Sequence, residues 1–247
     1  MAMRRRSGWL GSIAVATLAV PASGDPPRTV PASEFRFTRL QYADLGYGFG
    51  RSWLVDYPEA EIHFGRAIAR LTRVEIGEPG IVNLRDDDLF DYPWLYAVEV
   101  GRWHLDDQEA AKLREYLLRG GFLMVDDFHG TMEWRRFMES MQKVFPDRPV
   151  VEIADEDEVL HVLYDVDQRI QIPGIAPLSR GVTYERDGVT PYWRGIYDDR
   201  GRLMVAINFN MDLGDAWEHA DDPRYPEPMT ALAYRFAVNY VIYAMTH

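Results

Sequence analysis

The sequence predicts an α/β fold in which helices cover both faces of a mostly parallel sheet. Short apolar segments of strand character alternate with amphipathic helical segments through the first two-thirds of the chain. Such alternation typically builds a parallel sheet. One apolar run, at residues 94–100, also has the continuous hydrophobicity of a strand that is buried on both faces.

The individual elements follow from local patterns. Apolar and polar side chains alternate at residues 34–42, which predicts the first strand. An amphipathic helix is predicted at 59–73, and the pair Asp106 and Glu109 has the capping-box spacing that begins a helix at 106–119. The other predicted elements are strands at 81–84, 94–100, 122–125 and 150–153, helices at 132–144, 157–163 and 228–245, and a C-terminal hairpin of strands 192–197 and 202–209.

Composition restricts the classes of function. The 247 residues fit one domain, and 39 acidic against 27 basic side chains give a net charge of −12. Because no basic cluster stands out, we expect no nucleic-acid partner. The chain has no cysteine, which excludes disulfides, thiolate nucleophiles and cysteine-bound zinc.

The N-terminus has the pattern of a secretory signal. Arg4, Arg5 and Arg6 precede an apolar stretch at 9–20, and small residues follow at 22–24. We expect a signal peptide at 1–24, a linker at 25–33 and a single domain at 34–247, with a periplasmic or secreted location. The general secretory route is favoured over the twin-arginine route, and an uncleaved anchor is the alternative. No later segment is apolar for long enough to predict a membrane span.

One strand-turn-helix segment is the first candidate site. Asp126, Asp127 and His129 follow the predicted strand at 122–125 and precede a helix. Ligands of parallel sheets bind at such carboxyl ends. Two carboxylates and an imidazole can share a proton or bind a divalent cation, with Asp127 and His129 as the metal ligands. In the alternative interpretation, one aspartate caps the helix that begins near Gly130.

Two further polar groups are candidate binding residues. Asp56, Glu59 and His63 surround the start of the first helix, where Glu59 and His63 are four residues apart and share a face. Acidic residues at a helix start also occur simply because the helix dipole stabilises them. Asn208 and Asp212 belong to an oxygen-rich segment whose spacing does not match an EF-hand.

Several familiar catalytic motifs are missing. The glycines at 46, 48 and 50 follow the first predicted strand, but their spacing is not that of a dinucleotide loop, and we interpret them as a turn. The sequence contains no G-x-S-x-G elbow, no Walker loop and no H-E-x-x-H helix. These absences argue against a serine hydrolase, a P-loop NTPase and a zincin.

The chain from residue 34 to 247 resembles the bacterial family called domain of unknown function 4159. The resemblance is carried by residues 35–40, 56–61, 117–130, 145–146, 201–203 and 239–244. It implies a fold similar to class I glutamine amidotransferases, a flavodoxin-like three-layer α/β sandwich with an added C-terminal hairpin. It implies no activity, and the nucleophilic cysteine of the amidotransferases is replaced by the segment at 126–130. Glutaminase chemistry by that route is therefore excluded.

Two functions remain open. The first is a non-catalytic domain of the cell envelope that binds a ligand, an envelope protein or a carbohydrate, the last by stacking on some of its 7 tryptophans and 14 tyrosines. The second is a metal-assisted hydrolase, in which an ion bound near Asp127 and His129 activates water. A divalent cation is the one cofactor that the residues suggest.

Overall fold

A mostly parallel sheet of seven strands organises the protein. The computed structural model describes residues 33–44 and 51–247. The strand order is β3-β1-β4-β6-β9-β8-β7, and β8 alone runs antiparallel to its neighbours. The strands of this sheet are β1 (Thr38–Gln41), β3 (Gly80–Asn83), β4 (Trp94–Val98), β6 (Phe122–Asp126), β7 (Val151–Glu152), β8 (Tyr192–Tyr197) and β9 (Leu203–Phe209). A separate antiparallel ribbon pairs β2 (Ala43–Asp44) with β5 (Trp103–His104).

The strand order reverses direction beside β1. The chain first pairs β3 with one side of β1 and then returns to pair β4 with its other side. The connections that leave the carboxyl ends of β1 and β4 therefore diverge, and such a switch point is where ligands of open α/β sheets bind.

Helices pack on both faces of the sheet. Apolar side chains of α1, α5 and α6 join one buried cluster with Phe37, Trp94 and Tyr96. Side chains of α2 and α3 join a second cluster on the opposite face with Leu95, Leu123 and Val125. The helices are α1 (Glu59–Leu71), α2 (Asp107–Leu118), α3 (Gly130–Val144), α4 (Ile175–Ser179), α5 (Leu213–Glu218) and α6 (Glu227–Thr246). The predicted class, an α/β fold with a mostly parallel sheet, is confirmed.

The start of α2 confirms the capping box. The Asp106 side chain accepts hydrogen bonds from the backbone N–H groups of Gln108 and Glu109, and the Glu109 side chain accepts one from the Asp106 N–H. All the atoms involved lie within four residues, so this feature depends only on local sequence.

Two predicted elements differ in the structure, and one helix was not predicted. The first strand begins at Thr38 rather than at residue 34, because Phe35 forms only an isolated bridge with Ile76. The helix predicted at 157–163 is wrong, since only one turn of 3-10 helix forms there, at Glu158–Leu160. The unpredicted helix is the six-residue α5, which lies in the oxygen-rich segment that contains Asp212.

The predicted hairpin also needs correction. Both strands form, but β9 pairs in parallel with β6 and lies inside the sheet, so the hairpin does not simply add antiparallel strands at an edge. All seven residues of β9 are buried, which suits an interior strand covered on both faces. The outermost strand on this side of the sheet is β7, which has two residues.

Some of the sequence-based expectations lie outside the described residues. These are the signal peptide at 1–24, nearly all of the linker at 25–33 and the glycine-rich turn at 46–50. Within the part of the chain that the structure describes, no helix combines the length and the apolar character needed to cross a membrane.

Candidate functional site

Carboxyl groups gather at the edge of the sheet where β1, β4, β6 and β9 end. The elements that follow these strands bring together seven acidic side chains, each of which acts electrostatically on at least one other. Parallel sheets bind ligands at this edge. We call the set the acidic edge, and its members are Asp56, Glu99, Asp126, Asp127, Asp212, Asp215 and Glu218.

Asp126 is the innermost member of the acidic edge. It is the last residue of β6 and is fully buried. Its Oδ2 accepts hydrogen bonds from the N–H groups of Leu213 (2.7 Å) and Gly214 (3.0 Å) and from the Tyr96 hydroxyl (3.2 Å). Its Oδ1 has no hydrogen-bond partner among the described residues. Asp126 therefore anchors the first turn of α5 to the centre of the sheet.

Asp127 and His129 form a buried pair. Asp127 has a left-handed backbone conformation (φ 49°), and its N–H donates to the Met211 carbonyl at 3.1 Å. This turn directs the Asp127 carboxylate to His129, with 3.0 Å between Oδ1 and Nε2. The other ring nitrogen, Nδ1, is buried without a partner in the described chain. The structure thus brings these two predicted residues into contact.

The N-terminus of α3 is capped by residues distant in sequence. The Asn210 Oδ1 accepts a hydrogen bond from the Gly130 N–H at 2.8 Å, and Asp187 accepts from the Thr131 N–H at 3.0 Å. The interpretation in which Asp126 or Asp127 caps this helix was therefore wrong. The physical reason is that Asp126 already serves the N-terminus of α5 instead.

Asn210 offers a test of this capping arrangement. It has a left-handed φ of 63°, and its Nδ2 donates to the Thr190 carbonyl at 2.6 Å. We expect Asn210→Ala to lower the free energy of unfolding by about 2–3 kcal/mol, because both side-chain hydrogen bonds are lost at a buried site. Asn210→Gly should lower the free energy of unfolding by about 1 kcal/mol less than Asn210→Ala does, since glycine tolerates this backbone conformation. Urea denaturation measures both values, and equal losses would contradict the backbone argument.

Burial dominates the electrostatics of the acidic edge. It raises the pKa of Asp126 to about 8, and the nearby charge of Asp127 adds to this shift. Burial, followed by the same Asp127 charge, raises the pKa of Glu99 to about 8. For Asp56, Asp127 and Asp212, burial and then neighbouring carboxylates raise the pKa well above the usual range for aspartate. The site therefore favours protonation or the binding of a positive charge.

The arginines near this edge are paired with Glu99, one member of the acidic edge, and with two acids outside it. Arg102 pairs with Glu99 at 3.2 Å, Arg186 with Glu133 at 2.8 Å, and Arg39 with the buried Glu61. Among residues 33–44 and 51–247, no lysine or arginine forms an ion pair with the three aspartates at the centre of the edge. These three are Asp56, Asp126 and Asp212.

The other predicted site residues do not all join this edge. Asp56 and Asp212 do. Glu59 is exposed on α1, and the Nδ1 of His63 contacts the Trp217 carbonyl at 2.9 Å, so these two do not form the predicted shared pair. Asn208 is buried inside β9, where it donates to the Val125 carbonyl and accepts from the Tyr240 hydroxyl. Its amide is satisfied within the sheet.

Sequence reasoning missed three residues, two on α5 and one directly after it. Asp215, Glu218 and His219 offer ligand atoms that all lie within 4.8 Å of one another, and each side chain is partly exposed. Their spacing of i, i+3 and i+4 is visible in the sequence. This spacing brings side chains together only when the segment is helical, and no helix was predicted there. Asp212, which accepts a hydrogen bond from the Asp215 N–H, supplied the capping signal for that helix.

The tryptophans give little support for stacking on a sugar. Trp134 is the most accessible in the described chain, and the Arg194 guanidinium lies over its ring at 4.6 Å. The other described tryptophans are buried, as part of the two core clusters. They are Trp53, Trp94, Trp103, Trp193 and Trp217. The described tryptophans therefore serve mainly to pack the sheet against the helices.

Fold and site together define a cysteine-free α/β domain whose mostly parallel sheet ends in a buried acidic edge. Residues 36–245 match the family model described as Domain of unknown function (DUF4159), and the chain belongs to this family. The match confirms the resemblance drawn from the sequence and spans nearly all of the described residues. A search of curated proteins finds no match.

Proposed function

We propose that this chain is an exported, non-catalytic domain of the cell envelope that binds a cationic ligand at its acidic edge. Export is supported by the basic, apolar and small-residue pattern of residues 1–24. A flavodoxin-like fold is supported by the order of the five parallel strands β3-β1-β4-β6-β9, which is 2-1-3-4-5 when they are numbered along the chain.

One observation carries the binding role. Seven carboxyl groups converge at the end of the sheet, and the aspartates at their centre lack a lysine or arginine partner among the described residues. Burying an unpaired carboxylate costs several kcal/mol, on the order of the whole stability of a domain when several are combined. A cation that binds between them offsets this cost once the carboxyls are ionised, and at lower pH it must displace the protons that neutralise them.

Burial favours binding over catalysis. Asp127 is 8% exposed and His129 is 3% exposed, so neither side chain is open to a substrate of any size. A general base must come within about 3 Å of the proton that it removes. A small cation needs much less access than an ester or a peptide.

A metal-assisted hydrolase is the second candidate. The observation that favours it is the Asp127–His129 pair, in which a carboxylate holds one imidazole nitrogen at 3.0 Å and leaves the other without a partner in the described chain. Near a bound ion, such a pair can take a proton from metal-bound water. Metal-dependent hydrolysis of a nitrophenyl ester or phosphate that His129→Ala abolishes would establish this function in place of simple binding.

Thermal unfolding in the presence of cations tests the proposal. We expect at least one of Ca²⁺, Mg²⁺, Mn²⁺, Zn²⁺ or the organic cation spermidine to stabilise the protein at pH 8. A ligand at 100 times its Kd adds about 2.7 kcal/mol. For a chain of this size, each kcal/mol raises the midpoint by about 2–4 °C. Asp127→Asn should reduce the shift, because it removes one charge from the acidic edge.

Glu156→Gln is the matched control. This residue is also acidic, but it is exposed on the surface and is not a member of the acidic edge. It should keep the full cation-dependent shift. The proposal fails if no cation raises the midpoint, or if Glu156→Gln reduces the shift as much as Asp127→Asn does.

A further inference from the structure

One face of α5 presents a group of metal-ligating atoms. The His219 Nε2 lies 3.3 Å from the Asp215 Oδ1 and 3.8 Å from the Glu218 Oε2. Two ligand atoms that each lie about 2.1 Å from one ion are about 3.0–3.4 Å apart in tetrahedral or octahedral geometry. The His219–Asp215 distance lies in this range, the His219–Glu218 distance is longer, and the three ligand atoms all lie within 4.8 Å of one another.

Asp56 adds a fourth carboxyl from a different part of the chain. The Glu218 carboxyl lies within hydrogen-bonding reach of both Asp56 and Asp215. The Asp56 Oδ2 is enclosed and has no hydrogen-bond donor in the described residues. An enclosed carboxyl oxygen without a donor, beside the α5 cluster, favours a positively charged ligand there.

Gly214 allows the close approach of Asp56. A Cβ at this position would lie 2.4 Å from the Asp56 Oδ2 and 2.7 Å from the Tyr96 hydroxyl. Any other residue would push the Asp56 carboxyl away from α5. The loop that carries Asp56 is held in turn by Arg39, whose Nη1 donates to the carbonyls of Trp53 and Val55. The position of the fourth carboxyl is thus fixed by the core.

The ligand atoms are also oriented and accessible. The Asp215 Oδ2 accepts a hydrogen bond from the Ile175 N–H at 2.6 Å, which leaves Oδ1 to face His219. The side chains of Asp215, Glu218 and His219 are 14%, 28% and 24% exposed. An ion from solvent can reach them without opening the core.

The donor set selects the kind of ion. Carboxylate oxygens combined with an imidazole nitrogen, without any sulfur, suit Zn²⁺ or Mn²⁺. Ca²⁺ and Mg²⁺ prefer sites built from oxygen alone. We propose that Asp56, Asp215, Glu218 and His219 bind one divalent transition-metal ion, with Zn²⁺ or Mn²⁺ as the preferred ion. This inference rests on the proposed function and names the cation of the acidic edge.

Isothermal titration of the chelator-treated full chain with Zn²⁺ and with Mn²⁺ tests the inference. We expect one ion per chain, and binding at least about 100-fold weaker in His219→Ala because a direct ligand is lost. Glu218→Gln provides a second variant that retains the shape of the side chain. His161→Ala is the matched control, since His161 pairs with an aspartate four residues away on the surface, as His219 does.

The outcomes separate this inference from the proposed function. Tight binding that survives in both His219→Ala and Glu218→Gln overturns the metal site, as does an equal loss in His161→Ala. If spermidine stabilises the protein at pH 8 while neither metal ion binds, the inference fails and the cation-binding function stands. If no cation of any kind binds, both fail. Circular dichroism shows whether each variant is folded.

Discussion

Arg39→Met is expected to destabilise the protein by about 3–5 kcal/mol, the typical effect of removing one partner from a buried ion pair. Arg39 and Glu61 are both fully buried, and the guanidinium Nε donates to the Glu61 carboxylate. The second carboxylate oxygen, Oε2, already lacks a partner among the described residues. Without Arg39, the charge of Glu61 would remain inside the core with nothing to balance it.

The double variant Arg39→Met with Glu61→Leu supplies the control. Replacing both partners of a buried pair by apolar side chains of similar volume is often nearly neutral. We expect the double variant to recover most of the loss, although the two carbonyls that Arg39 holds would lose their donor. Urea denaturation measures the free energy of unfolding for the wild type and both variants. A double variant no more stable than Arg39→Met would show that the loop contacts, and not the charge pair, dominate.

The effect on the site provides a further readout. The loop that Arg39 holds leads to Asp56, which belongs to the acidic edge. If the double variant folds but binds Zn²⁺ more weakly than the wild type, Arg39 is a positioning residue for Asp56. Unchanged binding in the double variant would limit Arg39 to a structural role.

Features that depend on local sequence were predicted best. The capping box of Asp106 and Glu109 involves residues in one helical turn, so spacing alone identifies it. The buried strands β4 and β6 were found from their continuous apolar runs. Asp126 and Asp127 were placed at the correct end of a strand because that strand was predicted correctly.

Features that depend on tertiary contacts were not predictable in the same way. The spacing of Glu59 and His63 suggested a pair on α1, but His63 contacts the Trp217 carbonyl, 154 residues away. Asn210 lies in the same oxygen-rich segment as Asn208 and Asp212, and the sequence does not indicate that its side chain caps α3. No local pattern indicates which of these partners will meet.

The short helix α5 shows a different kind of failure. Its capping signal, Asp212 followed by Asp215 three residues later, was present in the sequence. The same oxygens also resemble those of a cation-binding loop. Because we interpreted them as possible ligands, we did not predict a helix there. Six residues rarely form a stable helix alone. Here the buried carboxylate of Asp126 stabilises its first turn from a distant strand.

Raising the pH from 5 to 8.5 is expected to lower the stability of the protein in the absence of a cation. The pKa of Asp126 and that of Glu99 are each raised to about 8 by burial, from ordinary values near 4. Between about pH 4 and pH 8, the folded state therefore binds more protons than the unfolded state does. The contribution of these two carboxyls to the free energy of unfolding is complete below about pH 4 and is lost as the pH rises through about 8. Each unit of pKa shift corresponds to about 1.4 kcal/mol.

Asp126→Asn isolates one part of this effect. The asparagine Oδ1 can still accept from the N–H groups of Leu213 and Gly214, but it carries no charge at any pH. We expect the variant to lose less stability than the wild type between pH 5 and 8.5, as measured by urea denaturation at each pH. Glu156→Gln, on the exposed surface, should keep the slope of the wild type.

The same titration connects stability to binding. A cation that binds the charged form of the acidic edge should return stability at pH 8.5 and have little effect at pH 5, where protons already neutralise the carboxyls. The slope of stability against pH should therefore become shallower when a cation such as Zn²⁺ or spermidine is present. A wild-type stability that is flat or rises from pH 5 to 8.5 without a cation would mean that these carboxyls are ionised and stabilised within the fold. The carboxyls of the acidic edge would then be stable in their charged form without a bound cation.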